Sequence, residues 1–324
     1  VAISFGPEDV SAMRRRLVKA FDRFHDARQQ SDRTVAKLMR EWEIDIAVDL
    51  GGYTSGARPW VLAHRPCPVQ VNYLVYPGTL GASFLDYVLA DGTVLPADQQ
   101  PYFCEKIVHL AGCYQPNDTT RIVPPAPSRA EAGLPEGAFV FCCFNNSWKI
   151  TAPVFDIWMR LLQQVPDSVL WLLEGNAGIR GNLCKQAAAR GIPAERLIFA
   201  GRTGTEKHLA RQQLADLFLD TLPYNAHTTC SDALWAGLPL ITAPGRSFPA
   251  RVAASILKSA NLPELIAADL GEYEALALRL ARDPARLAAI RQKLVSGRKN
   301  VPLFDTIRFT RNLEAAYAAM LNQA

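Results

Sequence analysis

Along the chain, short apolar runs alternate with amphipathic stretches, and the alternation occurs as two successive series. In the first, 1–5 and Ile44–Leu50 read as strands, followed by apolar segments at Val69–Tyr76, Tyr87–Ala90 and Ile107–Leu110. Helical spacing fills the early intervals: Asp9–Arg28, with Arg14, Arg15, Arg16 and Lys19 on one face, and Ser31–Trp42, with Val35, Leu38 and Met39. The basic stretch reads as a solvated helix face. From Tyr114 to Ser128 the pattern lapses into a polar, proline-rich run (Pro116, Pro124, Pro125, Pro127), which marks a domain boundary. The second series has strands at Phe139–Phe144, Ser168–Leu173, Arg196–Ala200, Leu217–Leu219 and Leu240–Thr242. Helices are expected between them at Thr151–Gln164, Gly181–Arg190, Glu206–Gln213 and Ser231–Ala236, and after them at Arg251–Ala260, Glu272–Gly297 and Asp305–Met320. This alternation predicts an α/β fold of parallel, doubly wound sheets with right-handed crossovers. The expected organisation is a Rossmann-like domain over 1–128 that is incomplete at its start, a second over 129–302, and a C-terminal amphipathic helix over 303–324. Both sheets are expected to present their strand C-termini to a cleft.

Composition narrows the class. A chain of 324 residues has room for about two domains. With 49% hydrophobic and 20% charged residues it can bury large cores, which excludes a disordered or fibrous protein. A net charge of +4 favours anionic small molecules and is weak as a nucleic-acid signal. The 7 cysteines are irregularly spaced and form no C-x-x-C pair, so neither a zinc site nor a disulfide framework is suggested. Cys142 and Cys143 adjoin in an apolar run and read as buried thiols on a strand, which points to a reducing, cytoplasmic setting. No run approaches the roughly 20 apolar residues of a membrane span. No signal peptide is visible, and a strand beginning at Val1 suggests a piece of a longer protein.

The stretch Leu219–Pro239 is where the pattern carries most chemistry. An apolar run ends, the chain turns through Asp220, Pro223 and Asn225, and polarity peaks at His227-Thr228-Thr229 before a helical pattern begins at Ser231. Thr228, Thr229 and Ser231 sit where helix N-caps are favoured, so a helix start with free N–H groups beside a histidine suits a phosphate. Taken alone, it reads first as a capped helix start with nothing bound. Other polar loops follow strands of the same series: Asn145–Lys149, Glu174–Gly178, Gly201–Thr205 leading into His208 and Arg211, and Pro244–Arg246. Each alone is an ordinary loop. Together they can supply donors for a diphosphate, a carboxylate (Asp232) for a ribose diol and a flat partner (His208 or Arg211) for a base. Lys149 opens a helix, where a cation is disfavoured unless an anion is present. No Walker A sequence occurs and no G-x-G-x-x-G opens a sheet, which weakens a nicotinamide reading. The histidines (25, 64, 109, 208, 227) show no metal-ligand spacing, so a metal-independent anion site is favoured.

Several ordered motifs resemble one family. D-L-G-G-Y-T-S-G-A-R-P (49–59), Y-P-G-T-L-G-A (76–82), F-C-C-F-N-N-S-W-K-I (141–150), V-P-D-S-V-L-W-L-L (165–173) and H-T-T-C-S-D-A-L-W-A-G-L-P (227–239) look like the catalytic region of the O-linked N-acetylglucosamine transferases, in their bacterial form. R-V-A-A-S (251–255) and P-L-F-D (302–305) are similar too, so the resemblance runs over about 1–322. It implies a GT-B fold, glycosyltransferase family 41, and inverting, metal-independent transfer of N-acetylglucosamine from UDP-N-acetylglucosamine to serine or threonine of a protein acceptor. It implies that Lys149 contacts the diphosphate, with Asn146 replacing a longer amide. His208 would pack on uracil with Arg211 nearby, His227, Thr228 and Thr229 would hold the phosphates, and Asp232 the ribose. Tyr53, Pro77, Gly78 and Thr79 fall on the sugar and acceptor side. Thr205 stands where the family has a lysine. The family's histidine–proline motif and its tetratricopeptide repeats are expected upstream of Val1, and no general base is assigned within these residues. No cofactor, metal, nucleic acid or membrane partner is implied. Two other readings stay open: a UDP-sugar epimerase or hydrolase on the same fold, and a non-catalytic UDP-binding module.

Overall fold

The computed structural model describes residues 1–323. The chain divides into two compact units, one of Val1–Tyr114 with the stretch from Thr310 onward, the other of Gln115–Phe309.

The first unit contains β1 (Ala2–Ser4), α1 (Ala12–Ala20), β2 (Phe24–Asp26), α2 (Asp32–Glu41), β3 (Ile46–Asp49), α3 (Trp60–Ala63), β4 (Val69–Tyr73), β5 (Tyr87–Ala90) and β6 (Lys106–His109). β1 and β2 pair in parallel, and β3-β4-β5-β6 form a parallel sheet in that order. The helix expected over 9–28 is shorter and is followed by a strand. Ser11 caps α1, its hydroxyl accepting from the Arg14 amide at 3.0 Å. Arg14 does not only face water: its guanidinium donates to Ser4 Oγ at 2.9 Å and lies 4.7 Å over the Phe24 ring, which ties α1 to both short strands. α2 follows its pattern, capped by Ser31 and burying Val35, Ala36 and Met39 in a core shared with Ala47, Val61 and Leu62.

The second unit contains β7 (Phe139–Cys143), α4 (Ala152–Gln164), β8 (Ser168–Leu173), α5 (Ala177–Ala188), β9 (Leu197–Ala200), α6 (Thr205–Gln212), β10 (Leu217–Leu219), α7 (Thr228–Trp235), β11 (Leu240–Ile241), α8 (Val252–Ser259), α9 (Leu270–Arg282) and α10 (Pro284–Gly297). Its five strands are parallel in the order β11-β10-β7-β8-β9. β8 and β10 coincide with the expected runs because both faces are covered, which makes a parallel strand continuously apolar. Cys142 and Cys143 are buried thiols on β7. α5 begins before the expected Gly181, since Asn176 caps it by accepting from the Ile179 amide at 3.0 Å. The single helix expected over 272–297 is two. Proline at 284 cannot donate to a continuing helix, and Asp283 recaps the chain by accepting from the Arg286 amide at 3.0 Å.

The proline-rich run is no free linker. Gln115 donates to Ser231 Oγ at 2.8 Å, Asn117 to Leu303 O at 3.2 Å, and Pro124 O accepts from Gln213 at 2.8 Å. The division therefore falls at Tyr114–Gln115 and not at 128. The last helix, α11 (Thr306–Leu321), is not a separate element over 303–324. From Thr310 on it belongs to the first unit, where Asn312 donates to Ala111 O at 3.1 Å and Lys106 to Gln323 Oε1 at 2.7 Å. No helix among the described residues is long and apolar enough to cross a membrane.

Candidate functional site

The end of β8 and the segments after β7, β9 and β10 close around a cavity of about 440 Å³. Its wall brings together Asn146, Lys149, His208, Arg211, His227, Thr228 and Thr229, and adds Arg202 and Tyr224. No carboxylate lines it.

Lys149 ends a short 3-10 turn (Ser147–Lys149) directly after β7. Its ammonium donates to Asn225 O at 2.8 Å and lies 4.1 Å over the Tyr224 ring. Among the described residues no carboxylate is within ion-pair distance of it. Burial pulls its pKa down, while Asp220 and Cys143 pull it back up. A half-buried cation held by a carbonyl and a ring face keeps most of its charge for a ligand.

The loop beneath is shaped by Asp220, which is fully buried. The carboxylate accepts from the amides of Thr221 (2.7 Å) and Ala226 (2.6 Å), from Thr242 Oγ1 (2.7 Å) and from Asn145 Nδ2 (3.2 Å). Burial nevertheless pushes its pKa up to about 6, against those hydrogen bonds and Lys149.

The loop leads into α7, whose start differs from the expected caps. His227 occupies the N-cap position without a side-chain cap bond, and Thr228, Thr229 and Ser231 lie inside the first turn. The amides of Cys230 and Ser231 donate to His227 O. Those of Thr228 and Thr229 come before any intrahelical acceptor is available, so they are donors free to meet an anion. The His227 ring stacks on Tyr224 (4.9 Å, 22°) and donates through Nε2 to Pro249 O at 3.2 Å. Burial, then Lys149, lowers its pKa to about 4, so at neutral pH it is uncharged. Thr229 Oγ1 donates to Asn145 Oδ1, which joins the helix start to the end of β7.

At the other end of the cavity, Arg211 Nε donates to His208 Nδ1 at 3.0 Å. Nδ1 is thus the acceptor and the ring proton sits on Nε2. Burial, then Arg211, lowers the His208 pKa to about 4. The ring stands edge-on to Phe144 (5.3 Å), over which the Arg211 guanidinium also lies (4.9 Å). Asn146 Oδ1 accepts from Arg202 at 3.1 Å. This end offers a neutral imidazole, a guanidinium and an apolar floor, which suits a flat heterocycle.

Asp232 does not line the cavity. It lies within α7, nearly buried, and is ion-paired with Arg121. Tyr53, Pro77, Gly78 and Thr79 belong to the first unit, where the turns after β3 and β4 meet: Tyr53 OH donates to Leu80 O at 2.7 Å, and Asn72 Nδ2 to Gly78 O at 2.9 Å. Close packing there requires glycine at 52, which has φ +55° and whose Cβ would meet Tyr76 Cβ at 2.3 Å. Sequence reasoning missed Tyr224 and Asn225 as supports of Lys149, although both lie in the stretch before His227, and gave Arg121 no role. Leu234 and Trp235, on the same helix, are buried.

Comparisons with known proteins identify the family. The model of glycosyl transferase family 41 matches residues 1–126 and 117–313. The chain is 38% identical, over 97% of its length, to the probable UDP-N-acetylglucosamine–peptide N-acetylglucosaminyltransferase SEC of Arabidopsis thaliana, and covers 33% of that protein. A UDP-N-acetylglucosamine–peptide N-acetylglucosaminyltransferase of Caenorhabditis elegans is 27% identical over 94% of the chain, which covers 36% of it. The chain thus spans about a third of the length of these curated relatives. Among solved structures, a variant of the Thermobaculum terrenum O-GlcNAc transferase superposes with a TM-score of 0.92 at 32% identity, covering 99% of this chain and 61% of the other. Anabaena HepE, solved with UDP and glucose, has a TM-score of 0.65 at 15% identity, covers 98% of this chain and 91% of its own, and shows the shared GT-B fold alone. With the motifs, the paired parallel α/β units and the family match all in agreement, the chain belongs to glycosyl transferase family 41.

Proposed function

We propose that this chain is the donor-binding part of a protein O-N-acetylglucosaminyltransferase. The donor is UDP-N-acetylglucosamine, the acceptor is a serine or threonine hydroxyl of a protein, and the anomeric configuration inverts without a metal. One observation carries the reading: Lys149, Arg202 and Arg211 line a cavity with no carboxylate in its wall, under the open first turn of α7. The relatives' names supply the donor and the peptide acceptor.

In this mechanism the acceptor hydroxyl attacks the anomeric carbon in line with departing UDP. The charge developing on the leaving diphosphate is met by the Lys149 ammonium, the amides of Thr228 and Thr229, and the positive end of α7. His227 backs that helix start as a neutral ring. His208 and Arg211 hold the uracil, and Asp232, which lies one turn along α7 from Thr228 and outside the cavity wall, is assigned to the ribose hydroxyls. Tyr53, Pro77, Gly78 and Thr79 serve the sugar and acceptor side. The proton of the attacking hydroxyl goes to a base outside the residues assigned here. Tandem helical repeats upstream complete the full protein and select acceptors. The proposed setting is reducing and cytoplasmic, as the buried thiols of Cys142 and Cys143 suggest.

The test is Lys149→Ala in the full protein. Transfer from UDP-N-acetylglucosamine to a protein acceptor is expected to fall by about 10²–10³-fold, with an unchanged melting profile and no effect of a chelator on the wild type. Near-normal transfer by the variant would sink the assignment. Donor conversion without an acceptor would indicate an epimerase or hydrolase. UDP binding without any turnover by the full protein would indicate a binding module.

A further inference from the structure

Thr228, Asp232 and Trp235 fall at helical spacing on one stripe of α7, and only Thr228 opens into the cavity. The stripe beyond it is covered by the segment that begins the second unit. Gln115 donates to Ser231 Oγ at 2.8 Å, and Trp235 Nε1 donates to Arg121 O at 3.2 Å. The Arg121 guanidinium lies 5.6 Å from the Trp235 ring centre and is braced by its Nε, which donates to Asp118 O at 3.0 Å. Its Nη1 donates to Asp232 Oδ1. The contact is one-pronged. Arg121 Nη2 is buried with no hydrogen-bond partner, and among the described residues Asp232 Oδ2 accepts from none. A fork able to grip both oxygens therefore grips one.

We propose that Arg121 is a positioning residue for the donor's ribose: it fixes the Asp232 carboxylate through Oδ1 and leaves Oδ2 to accept from a ribose hydroxyl. The inference rests on the proposed function, in which Asp232 meets the ribose. Burial favours the protonated form of Asp232, and Arg121 opposes that tendency. Without the guanidinium, nothing would oppose the burial that favours the protonated form, and the carboxyl would be free to rotate. A guanidinium that only stapled residues 115–121 to α7 would instead influence every nucleotide equally.

That difference is measurable by titrating the full protein with UDP and with 2′,3′-dideoxy-UDP. The wild type is expected to prefer UDP by about tenfold or more, the scale of a hydrogen bond to a charged group. Arg121→Met is expected to bring that preference close to one, while its affinity for the dideoxy nucleotide stays within about twofold of wild type. Arg121→Lys keeps the charge without the planar fork and is expected to fall between them. It also carries the test should Arg121→Met fail to fold. A variant that keeps the wild-type preference, or loses affinity for both nucleotides alike, overturns the proposal, as does a wild type with no preference. A wild type that binds neither nucleotide overturns the proposed function itself.

Discussion

Each unit contains a fully buried carboxylate that organises a turn, and the two turns serve different ends. In the first unit Glu105 accepts from Thr79 Oγ1, from the Leu80 amide at 2.8 Å and from Asn72 Nδ2 at 3.4 Å. Asn72 and Tyr53 then satisfy the carbonyls of Gly78 and Leu80. The turn closes on itself. In the second unit Asp220 gathers two amides, Thr242 and Asn145, and so shapes residues 220–226. Yet the groups that this loop supports, Lys149 and the start of α7, face a cavity with no acid in its wall. An acid whose charge is absorbed by amides and hydroxyls can fix the shape of a loop without neutralising the nearby cation. That separation of shape from charge is what a phosphate site requires and a packing turn does not.

The comparison breaks most readily at the acids themselves. Asp220→Ala and Glu105→Ala each strand several buried donors and should cost about 4 kcal/mol or more in denaturant unfolding. Their effects on ligand binding should diverge. Asp220→Ala is expected to abolish UDP binding under conditions where the protein is still folded, whereas Glu105→Ala leaves it at the wild-type level. Equal losses of UDP affinity would show that the two turns are not functionally distinct.

The second unit should also carry a pH signature. His208 and His227 have pKa values of about 4 in the fold, against 6.5 for an ordinary histidine, and Asp220 has about 6 against 3.8. As pH falls from 6.5 to 4, both histidines take up protons in the unfolded chain before the folded one, which lowers stability. Asp220 takes up its proton in the folded chain first, which raises stability over nearly the same window. Two groups against one leave a net loss on acidification on the order of 3–4 kcal/mol. His208→Phe removes one of the two, so the remaining contributions, from His227 and from Asp220, should nearly cancel and the profile from these groups should flatten. Unfolding free energies of both proteins from pH 4 to 7 check this. An unchanged slope in the variant would mean that His208 is not held neutral by the fold.

The sequence disclosed the fold where a local pattern had a single physical cause. β8 and β10 are short apolar runs covered on both faces, and α2 shows a helical stripe below a serine cap. It failed where the cause lies elsewhere in the chain. Nothing in Arg14 and its neighbours announces that this basic stretch packs on Phe24 and Ser4. Asp283-Pro284, by contrast, was a legible helix break that hydrophobic spacing alone passed over. For the site, residue types in several loops led to Lys149, His208, Arg211 and the start of α7, because strand–loop–helix order places such loops on one sheet edge. The partner of Asp232 was hidden, since Arg121 lies in a proline-rich run that reads as a boundary. The absence of a side-chain cap at His227 was hidden too, because threonines next to a helix start look like caps until the backbone is seen.

That last point gives the finest comparison, between two helix starts. At α2 the Ser31 hydroxyl accepts from the Thr34 amide at 3.2 Å, so Ser31→Ala should cost about 1 kcal/mol and leave UDP binding untouched. At α7 the Thr228 hydroxyl makes no hydrogen bond among the described residues, and alanine is the better helix former. Thr228→Ala should therefore change stability by less than about 0.5 kcal/mol, while UDP affinity falls by roughly threefold to tenfold through the loss of one donor to the diphosphate. Thermal unfolding and UDP titration of the two single variants measure both quantities. If Thr228→Ala destabilises the protein as Ser31→Ala does and binds UDP normally, its hydroxyl is a cap after all. If the effects separate as expected, α2 has spent its first-turn donors on the fold and α7 has kept them for the ligand.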